Sequence, residues 1–382
     1  VTILQLISTE GYYGAESMLL ALARSLAELG HRSIVGVFRD ARGDNRDLEL
    51  RAARLGLEVA VMPCEGRWDW KTVAHLRSFM QAHAVDVLHT HGYKADVYGY
   101  AAAWPRRVAL VATCHNWPNR LLSMRMYAAI DRLVLRRFDG VATASGPVAR
   151  ILERWGMPAG KLRTIPNGVD MEPFRDVPWQ PREFTSGTER LIGFVGRLVP
   201  DKGGALLLSA AAAVLAEVPD AKLVFIGEGP ARAEWEALAA QLGIASQVLF
   251  AGQRADMPAV YASLDMVVLP SLQEAMPMCL LEALAAAKPV IGTRVGAVPK
   301  VIVPGVTGLL VEPGRVAPLA AAILRLLRDP GMARTIGVQG RSHVARNFAS
   351  GVVAKSYIEM YQAALRMNPA QGLRPAWQRS RP

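Results

Sequence analysis

Short apolar runs alternate along the chain with segments whose apolar residues recur every three or four positions. In the first half the runs predict strands over Thr2–Ile7, Ser33–Phe38, Glu58–Met62, Asp86–Thr90, Val108–Thr113, Gly140–Thr143 and Leu162–Ile165. The periodic segments predict helices such as Ala15–Leu29, Val73–Ala82 and Met124–Phe138. Strands that are apolar almost throughout, alternating with amphipathic helices, mean a parallel sheet covered on both faces. The alternation pauses at Glu172–Arg190, which holds three prolines and mixed charge and reads as a linker. It then restarts with strands Leu191–Val195, Lys222–Ile226, Gln247–Phe250, Met266–Leu269 and Pro289–Ile291. Helices 204–217, 230–242 and 279–287 lie between them, and helices over 317–328, 331–346 and 351–366 close the chain.

The expected architecture is α/β, with two doubly wound Rossmann-like domains facing across a cleft. They would span 1–175 and 190–350, joined by a linker at 176–189. A C-terminal helix, about 351–370, would be free to pack back onto the first domain, with a basic tail at 367–382. In such sheets ligands bind beyond the carboxyl ends of the strands.

Composition narrows this picture. The 382 residues are 51% hydrophobic and 20% charged, which suits a folded chain of two domains. The apolar stretch "ALLLSAAAAVLAEV" is shorter than the roughly 20 residues a membrane-spanning helix needs. The start, "VTILQLISTEGYYGAE", lacks a basic n-region and reads as a first buried strand, not a signal peptide. Cys64, Cys114 and Cys279 are scattered without CxxC spacing, so reduced thiols and a cytoplasmic setting are expected. The net charge is +11. Residues 1–180 hold 23 basic against 18 acidic side chains and the remainder 21 against 15, so the excess reads as shared. It favours anionic partners. No zinc-finger or RNP-type motif supports nucleic acid.

The turns after the predicted strands carry the chemistry. In "STEGYYGAES", Gly11 and Gly14 loosen a turn at a helix start, where amide groups approach a phosphate; an ordinary strand-to-helix turn would look the same. His89 and His91 share one face of a strand end, and His115 follows the next strand. Three such histidines could bind zinc. No cysteine or carboxylate is fixed beside them by local spacing, so a structural His89 and a ligand-contacting His91 are the expectation. In "GFVGRLVPDKGG", Arg197 and Lys202 flank a proline-containing turn before a helix and would clamp a diphosphate, although a solvated loop fits the local pattern too. Gly227, in "IGEGP", gives close backbone approach. In "SLQEAMPMCLLEALAAAKPVIG", Glu274 belongs to a loop, Pro277 to the first turn of a helix, and Glu282 to that helix. Two acids with amide donors between them, near Ala275, Met276, Pro277 and Met278, suit an anionic, polyhydroxylated ligand. A surface glutamate followed by one that favours the helix dipole is the competing reading.

Together these stretches resemble the retaining glycosyltransferases of family 4, with the GT-B fold. The E-x7-E pair Glu274/Glu282, "GFVGRLVPDKG", "IPNGVD" and "HTHG" carry the likeness, over nearly the whole chain. It implies a hexosyltransferase-type enzyme (EC 2.4) with an N-terminal acceptor domain and a C-terminal nucleotide-sugar donor domain. Glu282 would hold the donor ribose and Glu274 the transferred sugar, with the amides of 275–278 assisting. Arg197 and Lys202 would hold the diphosphate, Gly11 and Gly14 would close on it, and His91 would sit by the reacting centre. The stretch Gly252–Tyr261, with Arg254, would lie near the base. The nucleotide sugar is then a co-substrate, no cofactor is expected, and the two cations replace a metal. Ala275, Ala297 and Lys300 depart from residues common in the family.

The acceptor would be a saccharide or a lipid-linked hydroxyl, in polysaccharide or glycolipid synthesis. Asn119–Gly140 is a basic amphipathic helix, and residues 106–137 hold seven cations against Asp131 alone. That suits a peripheral position on the cytoplasmic face of an anionic inner membrane, or a core helix with a solvated basic face. A sugar-nucleotide epimerase of similar fold, or an idle nucleotide-sugar-binding subunit, are the alternatives.

Overall fold

The computed structural model describes residues 1–9, 11–39, 46–66, 69–105, 108–115, 122–175, 177, 184, 187 and 189–367. By contacts the chain divides into two compact units, Val1–Gly168 with Ser350–Pro382, and Val169–Ala349.

Unit 1 runs β1 (Thr2–Ile7), α1 (Gly14–Glu28), β2 (Arg32–Arg39), α2 (Asp47–Arg54), β3 (Glu58–Pro63), α3 (Trp70–Ala82), β4 (Val87–His91) and α4 (Tyr93–Ala102). It continues with β5 (Ala109–Cys114), α5 (Leu122–Leu135), β6 (Gly140–Thr143), α6 (Gly146–Arg154) and β7 (Leu162–Thr164). Its seven strands are parallel, in the order β3-β2-β1-β4-β5-β6-β7. The order reverses between β1 and β4. Right-handed crossovers therefore place α1 and α2 on one face and α3, α4 and α5 on the other. The three latter helices pack side by side.

Unit 2 runs β8 (Arg190–Val195), α7 (Gly204–Glu217), β9 (Ala221–Ile226), α8 (Arg232–Gln241), β10 (Val248–Gly252), α9 (Met257–Ser263) and β11 (Met266–Leu269). Then come α10 (Met278–Ala285), β12 (Val290–Thr293), α11 (Val298–Val301), β13 (Leu309–Val311), α12 (Val316–Arg328) and α13 (Pro330–Asn347). Its six parallel strands run β10-β9-β8-β11-β12-β13, reversing between β8 and β11. Phe194, Phe225 and Trp235 are fully buried and meet edge-on or tilted at the centre of its core.

The last helix, α14 (Ser350–Met367), belongs to unit 1, where it packs on α1 and β5. The division falls at Gly168/Val169, ahead of the expected boundary at 175. The stretch read as a linker lies largely outside the described residues, and its described part is not bare. Phe174 and Phe184 are buried, Phe174 edge-on to Tyr261 and Phe184 under the Arg254 guanidinium. Aromatic side chains set among the prolines find a core to enter.

The return of α14 also corrects the charge picture. Unit 1 holds 27 Lys and Arg against 16 Asp and Glu, and unit 2 holds 17 against 17. The whole excess of +11 therefore lies in unit 1; a cut at residue 180 credits the basic C-terminal segment to the wrong half. Among the described residues no helix is long and apolar enough to cross a membrane.

Candidate active site

In unit 2 the turns after β8 and β11 meet where the strand order reverses. Leu272 donates its amide to the Asp201 carbonyl at 2.8 Å. Gly203 adopts φ 73°, and a Cβ there would lie 2.2 Å from the Pro270 carbonyl oxygen. Glycine satisfies both the left-handed conformation and the close approach. The strapped turn delivers Lys202 to Glu274, with Nζ 2.6 Å from Oε1. Ser271 Oγ donates to the same oxygen at 2.8 Å. The Glu274 side chain is only 7% exposed, and a buried carboxylate needs this pairing. From the other side, Gly296 at φ 54° presses on Glu274, where a Cβ would come within 1.9 Å of the carbonyl oxygen. Ala297 donates its amide to the Ala275 carbonyl at 2.8 Å. Arg197, on the turn after β8, is exposed and without a partner among the described residues.

Pro277 is the cap residue before α10, at φ −77° and ψ 123°, rather than part of its first turn. The Ala275, Met276 and Met278 side chains are buried, and the Ala275 and Met278 amides have no acceptor among the described residues. Glu282 sits further along α10. Its Oε2 accepts from the Tyr261 hydroxyl at 2.9 Å, and the same hydroxyl reaches the Cys279 carbonyl at 3.2 Å. Tyr261 is fully buried, and burial first, then the Glu282 charge, keeps its hydroxyl protonated. Burial pushes the Cys279 thiol up to about 12, which removes it as a nucleophile. Arg254 forks onto Asp256, Nε to Oδ1 at 2.8 Å and the second nitrogen to Oδ2 at 2.6 Å. Gly227 crosses the turn after β8 so closely that a Cβ would lie 2.0 Å from the Gly196 carbonyl oxygen.

Gly11, Gly14 and His91 belong to unit 1. Gly14 is the first residue of α1, and Tyr13 caps it, donating its amide to Glu16 Oε2 at 2.9 Å. The Tyr13 ring covers Gly11, 2.6 Å from where a Cβ would stand. His91 is buried at the end of β4. Its Nε2 lies 2.9 Å from Gln5 Oε1 and its Nδ1 3.0 Å from His115 Nε2. With Gln5 Oε1 accepting, His91 carries its hydrogen on Nε2 and accepts from His115 at Nδ1. His89 bonds the Tyr361 hydroxyl and Thr113 Oγ1, each at 2.7 Å. Burial lowers all three rings, His89 to about 3, His115 to about 4 and His91 well below its usual value, so they are neutral at pH 7. Among the described residues no three His, Cys, Asp or Glu side chains are grouped to hold a metal ion.

Reading the sequence did not single out Ser271, Tyr261 or Gly296, and used His115 only as one of three histidines. Ser271 stands three residues ahead of Glu274, a local spacing that could have signalled the pair; Tyr261, on α9, lies 21 residues ahead of Glu282, beyond any local pattern.

Comparison with known proteins decides the family. A family model described as "Glycosyl transferases group 1" matches residues 178–363, and one described as "Glycosyltransferase Family 4" matches residues 12–173. Glycosyltransferase MJ1607 of Methanocaldococcus jannaschii, itself uncharacterized, is 32% identical over 298 residues, 74% of this chain and 76% of its own. The chain belongs to glycosyltransferase family 4. N-acetyl-alpha-D-glucosaminyl L-malate synthase of Bacillus anthracis is 28% identical over 306 residues, 78% of the transferase and 80% of that protein. The crystal structure of Anabaena Alr3699/HepE with UDP and glucose superposes with a TM-score of 0.82 at 23% identity, covering 94% of the transferase and 99% of that chain. The fold is GT-B, with two parallel-sheet Rossmann-like domains, and the enzyme is of the hexosyltransferase type.

Proposed function

We propose that the transferase moves a sugar from a nucleotide-diphosphate sugar to an acceptor hydroxyl with retention of configuration. The observation that carries this reading is the strapped Lys202–Glu274 pair, 2.6 Å apart, beside an unpartnered Arg197. Two cations at a strand-to-helix turn match a diphosphate. A carboxylate and free amides on the adjoining turn match sugar hydroxyls and phosphate oxygens. Tyr261 holds Glu282 by its Oε2, which positions the carboxylate for ribose hydroxyls. The Anabaena structure of the same fold contains UDP and glucose, which makes UDP-sugars the first donors to try.

In this reading the acceptor attacks from the face the leaving group departs, through an oxocarbenium-like state. Arg197 and Lys202 stabilise the departing diphosphate, which takes the acceptor proton. Their two charges serve where a divalent ion would otherwise stand. His91, its two nitrogens bonded to Gln5 and His115, supplies a fixed neutral ring at the reacting centre. The acceptor class is a saccharide or lipid-linked hydroxyl in polysaccharide or glycolipid synthesis, at the cytoplasmic face of a membrane, which the basic unit 1 supports.

The test is a thermal-shift screen over UDP-, GDP- and ADP-sugars, followed by transfer to a membrane extract with EDTA present. The anomeric configuration of the product is then read by NMR. Stabilisation by one donor and an α-linked product from an α-donor are expected. Inversion, or loss of turnover with EDTA, would sink the mechanism. Formation of a new nucleotide sugar without acceptor would replace it by epimerisation.

A further inference from the structure

The three most exposed large apolar side chains among the described residues are Trp70 at 75%, Leu133 at 63% and Trp104 at 61%. All three belong to one region of unit 1: Trp70 opens α3, Trp104 follows α4, and Leu133 lies on α5. These helices form the layer that covers one face of the sheet. Between α3 and α4 runs an open groove of about 550 Å3, lined by Trp70, Val73, Ala74, Tyr100, Ala101 and Trp104. The Arg77 guanidinium lies along it, with its nitrogens donating to the Ala101 and Ala102 carbonyls at the end of α4.

Charge in this layer is one-sided. By sequence α3, α4 and α5 carry Lys71, Arg77, Lys94, Arg125 and Arg132, and as acids only Asp96 and Asp131. Both acids are turned inward, 2% and 4% exposed. Thr90 Oγ1 donates to Asp96 Oδ1. Burial, then the neighbouring carboxyl, raises Asp96; burial raises Asp131 to about 6. Among the described side chains, these helices therefore offer the exposed Lys71, two indoles and a leucine, with Arg77, Lys94 and Arg132 half-buried; the nearest open carboxylate is Asp69, which caps α3.

We propose that the α3–α4–α5 layer docks on an anionic lipid bilayer, with Trp70, Trp104 and Leu133 entering the interface. Indole rings suit that boundary, with an apolar body and one N–H for the headgroups. The exposed Lys71, next to Trp70, is attracted to an anionic leaflet. An exposed leucine matches acyl chains and offers nothing to a nucleic acid. The surrounding unit holds the entire +11 excess of the chain, whereas unit 2 is neutral, so the attraction is confined to the unit with this face. The proposal deepens the membrane-side part of the proposed function and rests on it. It is read without donor or acceptor, so its failure is distinct from a failure of transfer.

The experiment is flotation of the full chain with vesicles of phosphatidylcholine and 30% phosphatidylglycerol (a composition set by the experimenter) and with phosphatidylcholine alone, at low and at high salt. The wild type should float with the anionic vesicles at low salt. Trp70→Ser/Trp104→Ser should lower the partition coefficient at least about tenfold, as expected for two indoles withdrawn from the interface. Its thermal unfolding midpoint and its donor-induced shift should be unchanged, because both indoles are exposed and neither is among the donor-binding residues. Leu133→Ser, alone, should weaken binding by a smaller factor and serves if the double variant misfolds. Absence of wild-type binding to anionic vesicles overturns the proposal. Equal binding of wild type and variants overturns it as well, by moving the contact elsewhere. A wild-type dimer in sedimentation that Trp70→Ser/Trp104→Ser dissociates, without vesicle binding, assigns the face to a second copy of the chain and overturns it too.

Discussion

The two sheets reverse their strand order in the same way and fill the reversal with opposite chemistry. In unit 2 the turns at β8 and β11 present an exposed Arg197, a Lys202–Glu274 pair and free amides. In unit 1 the ends of β1, β4 and β5 present Gln5 and three histidines, packed into a neutral hydrogen-bonded cluster with Tyr357 and Tyr361 of α14. Net charge runs the other way: neutral in the unit with the charged site, strongly positive in the unit with the neutral one. Overall charge therefore does not locate the chemistry. The site's polarity is set by a few strapped turns, not by the surplus of arginines in the sequence of the other unit.

The largest expected effect lies at the charged reversal. Arg197→Ala and Lys202→Ala should each lower kcat by about 10²–10³, the loss typical when one donor to a developing negative charge is removed. The two variants should part in stability. Arg197 is exposed and unpartnered, so its removal should change unfolding by less than about 0.5 kcal/mol. Lys202→Ala strands the buried Glu274 carboxylate and should cost about 1–3 kcal/mol. Steady-state kinetics with chemical denaturation checks both, and near-normal turnover of either variant removes the diphosphate role.

Next come the straps. Gly203→Ala and Gly296→Ala would each press a Cβ onto backbone oxygen at positive φ. Each should cost about 1–3 kcal/mol and weaken donor binding. Gly30→Ala, at φ 83° but with nothing within 4 Å, carries the conformational cost without the collision. If its loss equals theirs, close approach is not what the straps contribute. A smaller change is expected from Tyr261→Phe, which removes one hydrogen bond to Glu282 while keeping the packing. Donor KM should rise about fivefold, near 1 kcal/mol, with kcat preserved. A fall in kcat at constant KM would mean that the hydroxyl acts elsewhere.

Much of this was legible beforehand because it rests on local pattern. Apolar strands alternating with helices gave both parallel sheets, and the E-x7-E stretch with "GRLVPDKG" marked the donor side. The loop position of Glu274 and the helical position of Glu282 were legible from Pro277 between them, which stands one place earlier than read, as the cap of α10. What escaped depended on contacts far apart in sequence. Gly296 on Glu274, Tyr261 on Glu282 and Tyr361 on His89 join residues that no window spans. The charge split was misread for the same reason, because α14 returns to the unit where the chain began. Short or enclosed elements were also faint: α4, buried between α3, α5 and the sheet, has no polar stripe to betray its period.

The neutral reversal predicts its own pH signature. A ring held below its usual pKa binds fewer protons folded than unfolded. Its contribution is therefore present above about pH 6.5 and declines as pH falls toward the folded value, about 3 for His89. At pH 5.5 that decline amounts to about 1 kcal/mol for this ring alone. Asp96 and Asp131 push the opposite way: raised by burial, they hold protons longer when folded, so acidification favours unit 1 through them. The measurement must then be a difference. His89→Gln keeps a side chain able to bond Tyr361 or Thr113 and leaves both carboxyls in place. Between pH 7.5 and 5.5 the stability of unit 1 should fall by about 1 kcal/mol less in the variant than in the wild type. The unit 2 transition, followed by its response to donor, should be the same in both. Parallel pH profiles would mean that His89 does not stay neutral in the fold, and the contrast between a charged and a neutral reversal would lose its basis.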